Sequence, residues 1–159
     1  MKEDHASLMI AFIMALVLLP CPAHAFTLDM QCIEDNAANY NRNIENAPYI
    51  LTSFLGSEKI NMNLARDDGT VLHAGLDMVD GRIENVIQGG FNDSSISFSA
   101  SERDMNEVIA STDKIATFKN LVDEGKINIQ AKGLWAQAKL KALLSSASVL
   151  QFGYNLFFG

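Results

Sequence analysis

The sequence predicts an α+β domain in which a five-stranded, mainly antiparallel sheet has helices packed on one of its faces. The first observation is a change in hydrophobic period. Apolar residues recur at every second position in residues 59–99 and at helical spacing in the flanking segments. The second is that turn sequences rich in Gly and Asp separate the alternating segments. The third is a further alternating segment, residues 126–131, which follows two helical segments and supplies the fifth strand.

The first 25 residues are predicted to be an export signal or a membrane anchor. Residues 6–19 form an apolar run whose length fits the core of a signal peptide better than a bilayer span. Two prolines follow this run, and small residues at Ala23 and Ala25 favour cleavage before Phe26. We therefore expect an exported protein, in a periplasm, an extracellular space or a lumen.

The charges before the apolar run leave a second interpretation open. Lys2 is offset by Glu3 and Asp4, whereas a signal peptide usually begins with net positive charge. If the leader is retained, residues 6–25 would anchor the domain at a membrane.

Net charge and cysteine content restrict the function classes. The chain has 159 residues and a formal net charge of −7, with no cluster of Lys or Arg, so nucleic acid is not an expected partner. The same charge disfavours electrostatic docking on anionic lipid. Beyond the leader, Cys32 is the only cysteine, which leaves a thiol of no consequence or an intermolecular bridge as alternatives.

The first half of the chain beyond residue 25 combines helix signals with a series of turn sequences. Residues 26–47 are rich in Asn, a mediocre helix former, and we expect a loose leader with a helical turn or two. Pro48 begins a short amphipathic helix that Gly56 ends. Four alternating segments then follow, separated by Asp67-Asp68-Gly69, Asp80-Gly81 and a looser connection after Gln88. Four consecutive strands joined by turns predict an antiparallel meander.

The second half of the chain returns to helical spacing. Ser101 and Asp104 resemble a capping box at the start of one helix, and a second helix begins after Asp113 and ends at Gly125. Residues 126–131 form the fifth strand, and a final helix is expected from Leu134 to about Leu150. The remaining tail is aromatic; it could complete the core, cover a ligand site or touch a membrane surface.

Few residues offer catalytic or metal-binding chemistry. His73 is the only imidazole beyond the leader, and its position in the alternation predicts that it faces solvent. One His and one Cys cannot assemble a metal site of the usual kind, so we predict no metal and no cofactor. Glu102, Asp104 and Glu107 lie in the first turns of a helix, where the helix dipole favours acids without a catalytic role.

The apolar residues on the predicted buried faces are large and soft. They are either the core that such a domain needs or the lining of a cavity for an apolar ligand. The candidate lining consists of Phe54, Met62, Phe98, Met105, Phe118 and Trp135.

Residues 94–143 resemble the sterol carrier protein type 2 domain family. The resemblance is carried by the capped helix after Ser101, the second helix that ends near Gly125, the strand Gly125-Lys126-Ile127-Asn128-Ile129 and the final amphipathic helix. Residues 60–78 look like the first hairpin of that family. Ser111-Thr112-Asp113 stands where the family has a Gly between its central helices.

The resemblance implies a sheet-and-helix domain around an apolar tunnel for a lipid, a fatty acyl chain or a sterol. It implies no catalytic residues. Accordingly, we divide the chain into the signal peptide or anchor (1–25), the polar leader (26–47), a sterol-carrier-protein-like domain (48–151) and the tail (152–159). Two alternatives stay open: a structural or interaction module whose core is filled, and a small hydrolase or isomerase that uses His73.

Overall fold

The computed structural model describes residues 29–134 and, beyond them, Gln137, Ala138, Ser146, Ser148, Val149, Phe152 and Asn155. The side chains of Phe54 and Ile115 lie outside this description. In chain order, the helical and strand segments are α1 (Met30–Asn43), a 3-10 turn (Ile44–Asn46), α2 (Tyr49–Phe54), β1 (Lys59–Ala65), β2 (Val71–Val79), β3 (Arg82–Gln88), β4 (Ile96–Ser101), α3 (Glu102–Ala110), α4 (Lys114–Asp123) and β5 (Asn128–Ala131).

The five strands form one mixed sheet in the order β3-β2-β1-β4-β5, and the predicted α+β class is confirmed. β1–β2, β2–β3 and β4–β5 pair antiparallel, whereas β1 and β4 pair parallel, with Met62 opposite Phe98. The predicted meander is therefore wrong at its fourth strand, because β4 lies beside β1 rather than beside β3. Residues 89–95 are long enough to cross two strands, since the span is only about 14 Å at ordinary strand spacing.

This connection crosses the outer face of the sheet, the face that carries Asn61, Asn63, His73 and Gly75. Asn61 holds it through two bonds: Nδ2 donates to the Phe91 carbonyl at 2.8 Å, and the Phe91 N–H donates to Oδ1 at 2.8 Å. The ring of Phe91 lies over Gly75, where a Cβ would come within 2.7 Å of a ring carbon. Glycine at position 75 therefore makes room for the crossing.

The segment that we predicted to be a loose leader is the 14-residue helix α1, and that prediction is wrong. Its N-cap is Asp29, which accepts a hydrogen bond from the backbone N–H of Cys32 at 2.8 Å. Ile33, Ala37 and Tyr40 follow at helical spacing and are buried in the main core. The weak helix propensity of the Asn residues is overridden because this apolar stripe packs against the sheet.

Helix α1 also protects the β3 edge of the sheet. The Asn41 amide donates to the Ile83 carbonyl at 2.8 Å and accepts from the Ile83 N–H at 2.9 Å, as a neighbouring strand would. The Tyr40 hydroxyl donates to the Gly81 carbonyl at 2.7 Å, and burial raises the pKa of Tyr40, an effect that nearby Arg82 partly opposes. The edge of β3 is thus capped by side chains rather than left open.

The core lies between the sheet and the helices. Alternate strand residues such as Ile60, Met62 and Leu64 face it, and the helices contribute residues such as Leu51 and Met105. The predicted cap at the start of α3 is confirmed: Ser101 Oγ accepts from the Asp104 N–H at 3.0 Å, and the same hydroxyl donates to Asp104 Oδ2 at 2.6 Å.

Most of the predicted final helix and of the aromatic tail lies outside the described residues. Within the described part, Val149 and Phe152 are helical and belong to the main core. The burial of Phe152 agrees with the alternative in which the tail completes the core. Across the described residues, no helix combines the length and hydropathy needed to span a bilayer.

Candidate ligand site at the edge of strand β5

A continuous row of apolar side chains crosses four strands on the core face of the sheet. Strand register places Ala74 opposite Met62, Met62 opposite Phe98, and Phe98 opposite Ile129. Residues that are directly opposite on neighbouring strands point to the same face. Ala74, Met62 and Phe98 are each 0% exposed, whereas Ile129 is only partly buried because β5 is the last strand. The row therefore runs from the centre of the core to one edge of the sheet.

A groove of about 370 Å³ lies where this row reaches the edge. Among the described residues, its lining consists of Ile129, Gln130 and Ala131 of β5 together with Gln137. Ile129 and Ala131 face the core side, since their partners on β4 are the buried Phe98 and Ile96. The groove thus opens at the margin of the core, where its lining residue Ile129 is the register partner of Phe98.

The outer edge of β5, the last strand of the sheet in the described part of the chain, contributes polar backbone groups to this groove. The Lys132 N–H donates to the Ser95 carbonyl at 2.8 Å, so Lys132 faces β4. Backbone groups of an antiparallel strand alternate in direction, which turns the N–H and C=O of Ala131 and Ile129 towards the free side. Gln137 Nε2 donates to the Ala131 carbonyl at 3.4 Å. This bond is at the long end of the range for N–H···O contacts.

The four lining residues that the structure describes carry no charge. The nearest cation in sequence is Lys132, whose Nζ lies 3.4 Å from Ser94 Oγ. At the start of β1, Lys59 Nζ contacts Asp93 Oδ2 at 2.6 Å, and this hydrogen bond lowers the pKa of Asp93. Of the basic side chains that the structure describes here, Lys132 is directed to Ser94 and Lys59 to Asp93.

The structure buries four of the six side chains that the sequence suggested as a lining. Met62, Phe98 and Met105 are fully buried and Phe118 nearly so, and Met62 and Phe98 are register partners. The Phe54 side chain and all of Trp135 lie outside the described residues. That these six line a ligand cavity stays a prediction.

Sequence reasoning missed the residues that form the groove. Ile129 and Ala131 appeared only as alternating residues of the fifth strand. Their alternation could not show that β5 is an edge strand, because edge position depends on the order of strands in the sheet. The sequence did not indicate Gln137 as a site residue, because a polar residue in a helix is ordinarily solvated.

The other candidate residues lie away from the groove. His73 is exposed on the outer face, as predicted, with Nδ1 2.7 Å from Asn63 Oδ1. The Cys32 thiol is 1% exposed, which disfavours an intermolecular bridge. Over the described part of the chain, no group of three or more His, Cys, Asp or Glu residues could hold a metal ion.

No protein-family model matches the sequence, and no curated protein matches it. The chain is similar to solved structures of sterol carrier proteins at low identity. For the sterol carrier protein domain 2 of Helicoverpa armigera, identity is 17% and the TM-score is 0.49, over 77% of this chain and 91% of that chain. For palmitated SCP2L2 from Aedes aegypti, identity is 18% and the TM-score is 0.45, over 72% and 91%. For Sterol Carrier Protein 2 from Yarrowia lipolytica in its apo form, identity is 16% and the TM-score is 0.43, over 77% and 96%.

Proposed function

We propose that this protein binds or transfers a lipid, a fatty acyl chain or a sterol-like ligand and catalyses no reaction. The observation that carries the proposal is the row Ala74, Met62, Phe98 and Ile129, which leads from the core into the groove at the β5 edge. In this proposal the ligand enters at the groove, and its apolar part follows the row between the sheet and the helices.

The size and chemistry of the groove suit such a ligand. Its volume of about 370 Å³ falls within the range of small-molecule sites, roughly 300–1,000 Å³. Each methylene that leaves water contributes about 0.8 kcal/mol, so a chain of several methylenes that extends along the row would bind without any ion pair. Met62 belongs to the row and Met105 to the same core cluster, and flexible thioether side chains can adapt to a ligand's shape.

The position of His73 supports a function without catalysis. His73 is on the outer face, whereas Ile129 and Ala131 of the groove face the core side of the same sheet. A base on the opposite face cannot reach a ligand bound there. The hydrolase or isomerase alternative therefore has no base at the groove among the described residues.

Filling the groove tests the proposed function. We expect Ala131→Trp to weaken binding of a fluorescent fatty acid or sterol probe at least about ten-fold, because the indole would occupy the entry beside Ile129. Ala65→Trp is the matched control, since Ala65 is exposed at the end of β1 and remote from the groove. Probe titration and native mass spectrometry of the purified domain give the measurement. Equal binding by both variants and the wild type, or no lipid uptake by any of them, would contradict the proposed function.

We also propose that the protein is exported, with the leader cleaved before Phe26 or retained as an anchor. N-terminal sequencing of the protein from its native source is expected to show a start at Phe26 if cleavage occurs, and at Met1 or Lys2 if the anchor is retained. A cytoplasmic protein that keeps Met1 would contradict both forms.

A further inference from the structure

The connection of residues 89–95, which crosses the outer face of the sheet, carries a motif that lipid binding does not use. Asn92-Asp93-Ser94 is the only Asn-X-Ser/Thr triplet among the 159 residues, and its middle residue is not proline. Such a triplet is the acceptor sequence for N-linked glycans, and the glycans occupy surface loops of exported proteins. The structural context that this motif requires is therefore an exposed loop.

Asn92 lies in a turn whose backbone is held on both sides. On one side, the Asn61 amide exchanges two hydrogen bonds of 2.8 Å with the backbone of Phe91. On the other side, the Ser95 N–H donates to the Lys59 carbonyl at 2.9 Å. Asn92 itself is exposed, and its side chain makes no hydrogen bond within the described part of the chain. A group attached to Asn92 Nδ2 therefore breaks no contact that holds the connection in place.

The other two residues of the triplet are engaged by the fold. Asp93 pairs with Lys59 Nζ at 2.6 Å. Ser94 is only 3% exposed, and its Oγ lies 3.4 Å from Lys132 Nζ. The triplet is recognised through its Ser or Thr hydroxyl, which the folded chain hides. Transfer of a glycan must then occur before β4 pairs with β1, while the exported chain is still unfolded.

We infer, on the basis of the proposed export, that Asn92 carries an N-linked glycan that projects from the outer face. The donor is an oligosaccharide joined through phosphate to a polyprenyl lipid, and a membrane-bound transferase uses it. The bond between the anomeric carbon and the phosphate oxygen breaks, and a bond from that carbon to Asn92 Nδ2 forms. The polyprenyl phosphate group leaves with the electron pair, and the amide gives one proton to a base of the transferase. No oxidant or reductant takes part.

The glycan and the proposed groove occupy different parts of the domain. The connection crosses the outer face over Gly75, whereas Ile129 and Ala131 of the groove face the core side of the same sheet. Asn92 is not one of the described lining residues of the groove. Glycan attachment and lipid binding can therefore be measured separately.

The test is the mass of one tryptic peptide of the full chain, purified from its native source. Trypsin releases residues 83–103 as a single peptide, which contains Asn85 as well as Asn92. Asn85 is also exposed but does not begin such a triplet, so it is an internal control. We expect a glycan on Asn92 and none on Asn85, with the position read from the fragment-ion masses.

Three variants, expressed with the native leader in the same organism, assign the modification to the triplet. Asn92→Gln removes the acceptor, and Ser94→Ala removes the required hydroxyl, so each is expected to lose the glycan completely. Ser95→Ala is the matched control, since it removes a hydroxyl one position further on and leaves the triplet intact. It should keep the wild-type occupancy. Because transfer precedes folding, a change in the fold does not explain a loss in Ser94→Ala.

The outcomes separate this inference from the proposed export. Protein recovered outside the cytoplasm with the peptide unmodified would overturn the glycan and leave export intact. A glycan that persists in Ser94→Ala would also overturn the assignment to this triplet. Protein that stays in the cytoplasm and keeps Met1 would contradict both export and the glycan.

Discussion

Phe98→Ala is expected to lower the free energy of unfolding by about 3–5 kcal/mol, the range for removing a large aromatic side chain from a core. Phe98 is fully buried in β4, between Met62 of β1 and Ile129 of β5. Loss of the ring leaves a cavity in the middle of the apolar row, which neighbours on rigid strands cannot close. Urea denaturation followed by circular dichroism gives the measurement.

Phe98→Leu is the control, because it keeps most of the buried apolar volume. We expect Phe98→Leu to be clearly less destabilising than Phe98→Ala, since volume-conserving exchanges are tolerated best in cores. If the two variants lose the same stability, or if Phe98→Ala costs less than about 1 kcal/mol, the packing of β4 between its neighbours is not as described.

Gly75→Ala is expected to destabilise the fold by about 1–3 kcal/mol, which is the usual cost of overpacking. The added Cβ would lie 2.7 Å from the Phe91 ring and 3.0 Å from the Gly90 backbone. The crossing segment is fixed at this point by the two hydrogen bonds between Asn61 and Phe91, so it cannot move aside without breaking them. Chemical denaturation of the variant measures the loss.

A double-mutant cycle with Phe91→Ala shows whether the ring is the cause. With the ring removed, Gly75→Ala should cost much less than it does in the wild type, because the closest contact is gone. Additive losses would mean that the crossing does not pass over Gly75, and the topology at residues 89–95 would then need another account.

Local chemistry predicted those parts of the fold that depend on neighbours in sequence. The α3 cap at Ser101 follows from residues within one helical turn, as does the start of α2 after Pro48. The burial of Met62 and Phe98 follows from alternation along a single strand. Helix α1 was missed because its composition indicates weak helix propensity, whereas its Ile33, Ala37 and Tyr40 stripe becomes stabilising only when a sheet is present to cover it.

The candidate site could be predicted only in part. Its inner end, Phe98 beside Met62, consists of residues that the alternation already marked as apolar and inward-facing. Its outer end depends on Gln137 contacting Ala131, two residues whose approach is decided by where the chain turns after β5. No pattern within either segment contains that information.

The sequence by itself determined the α+β class, most helix and strand positions and the inward faces of the strands, because these depend on period, propensity and caps within a few residues. Only the tertiary structure decided that β4 lies beside β1 and that, among the described strands, β5 is the last of the sheet. Several strand orders are compatible with the same alternation of apolar and polar residues along the strands. It is settled by which connection can cross the sheet and which buried faces then fit together, here through Gly75, Asn61 and Phe91.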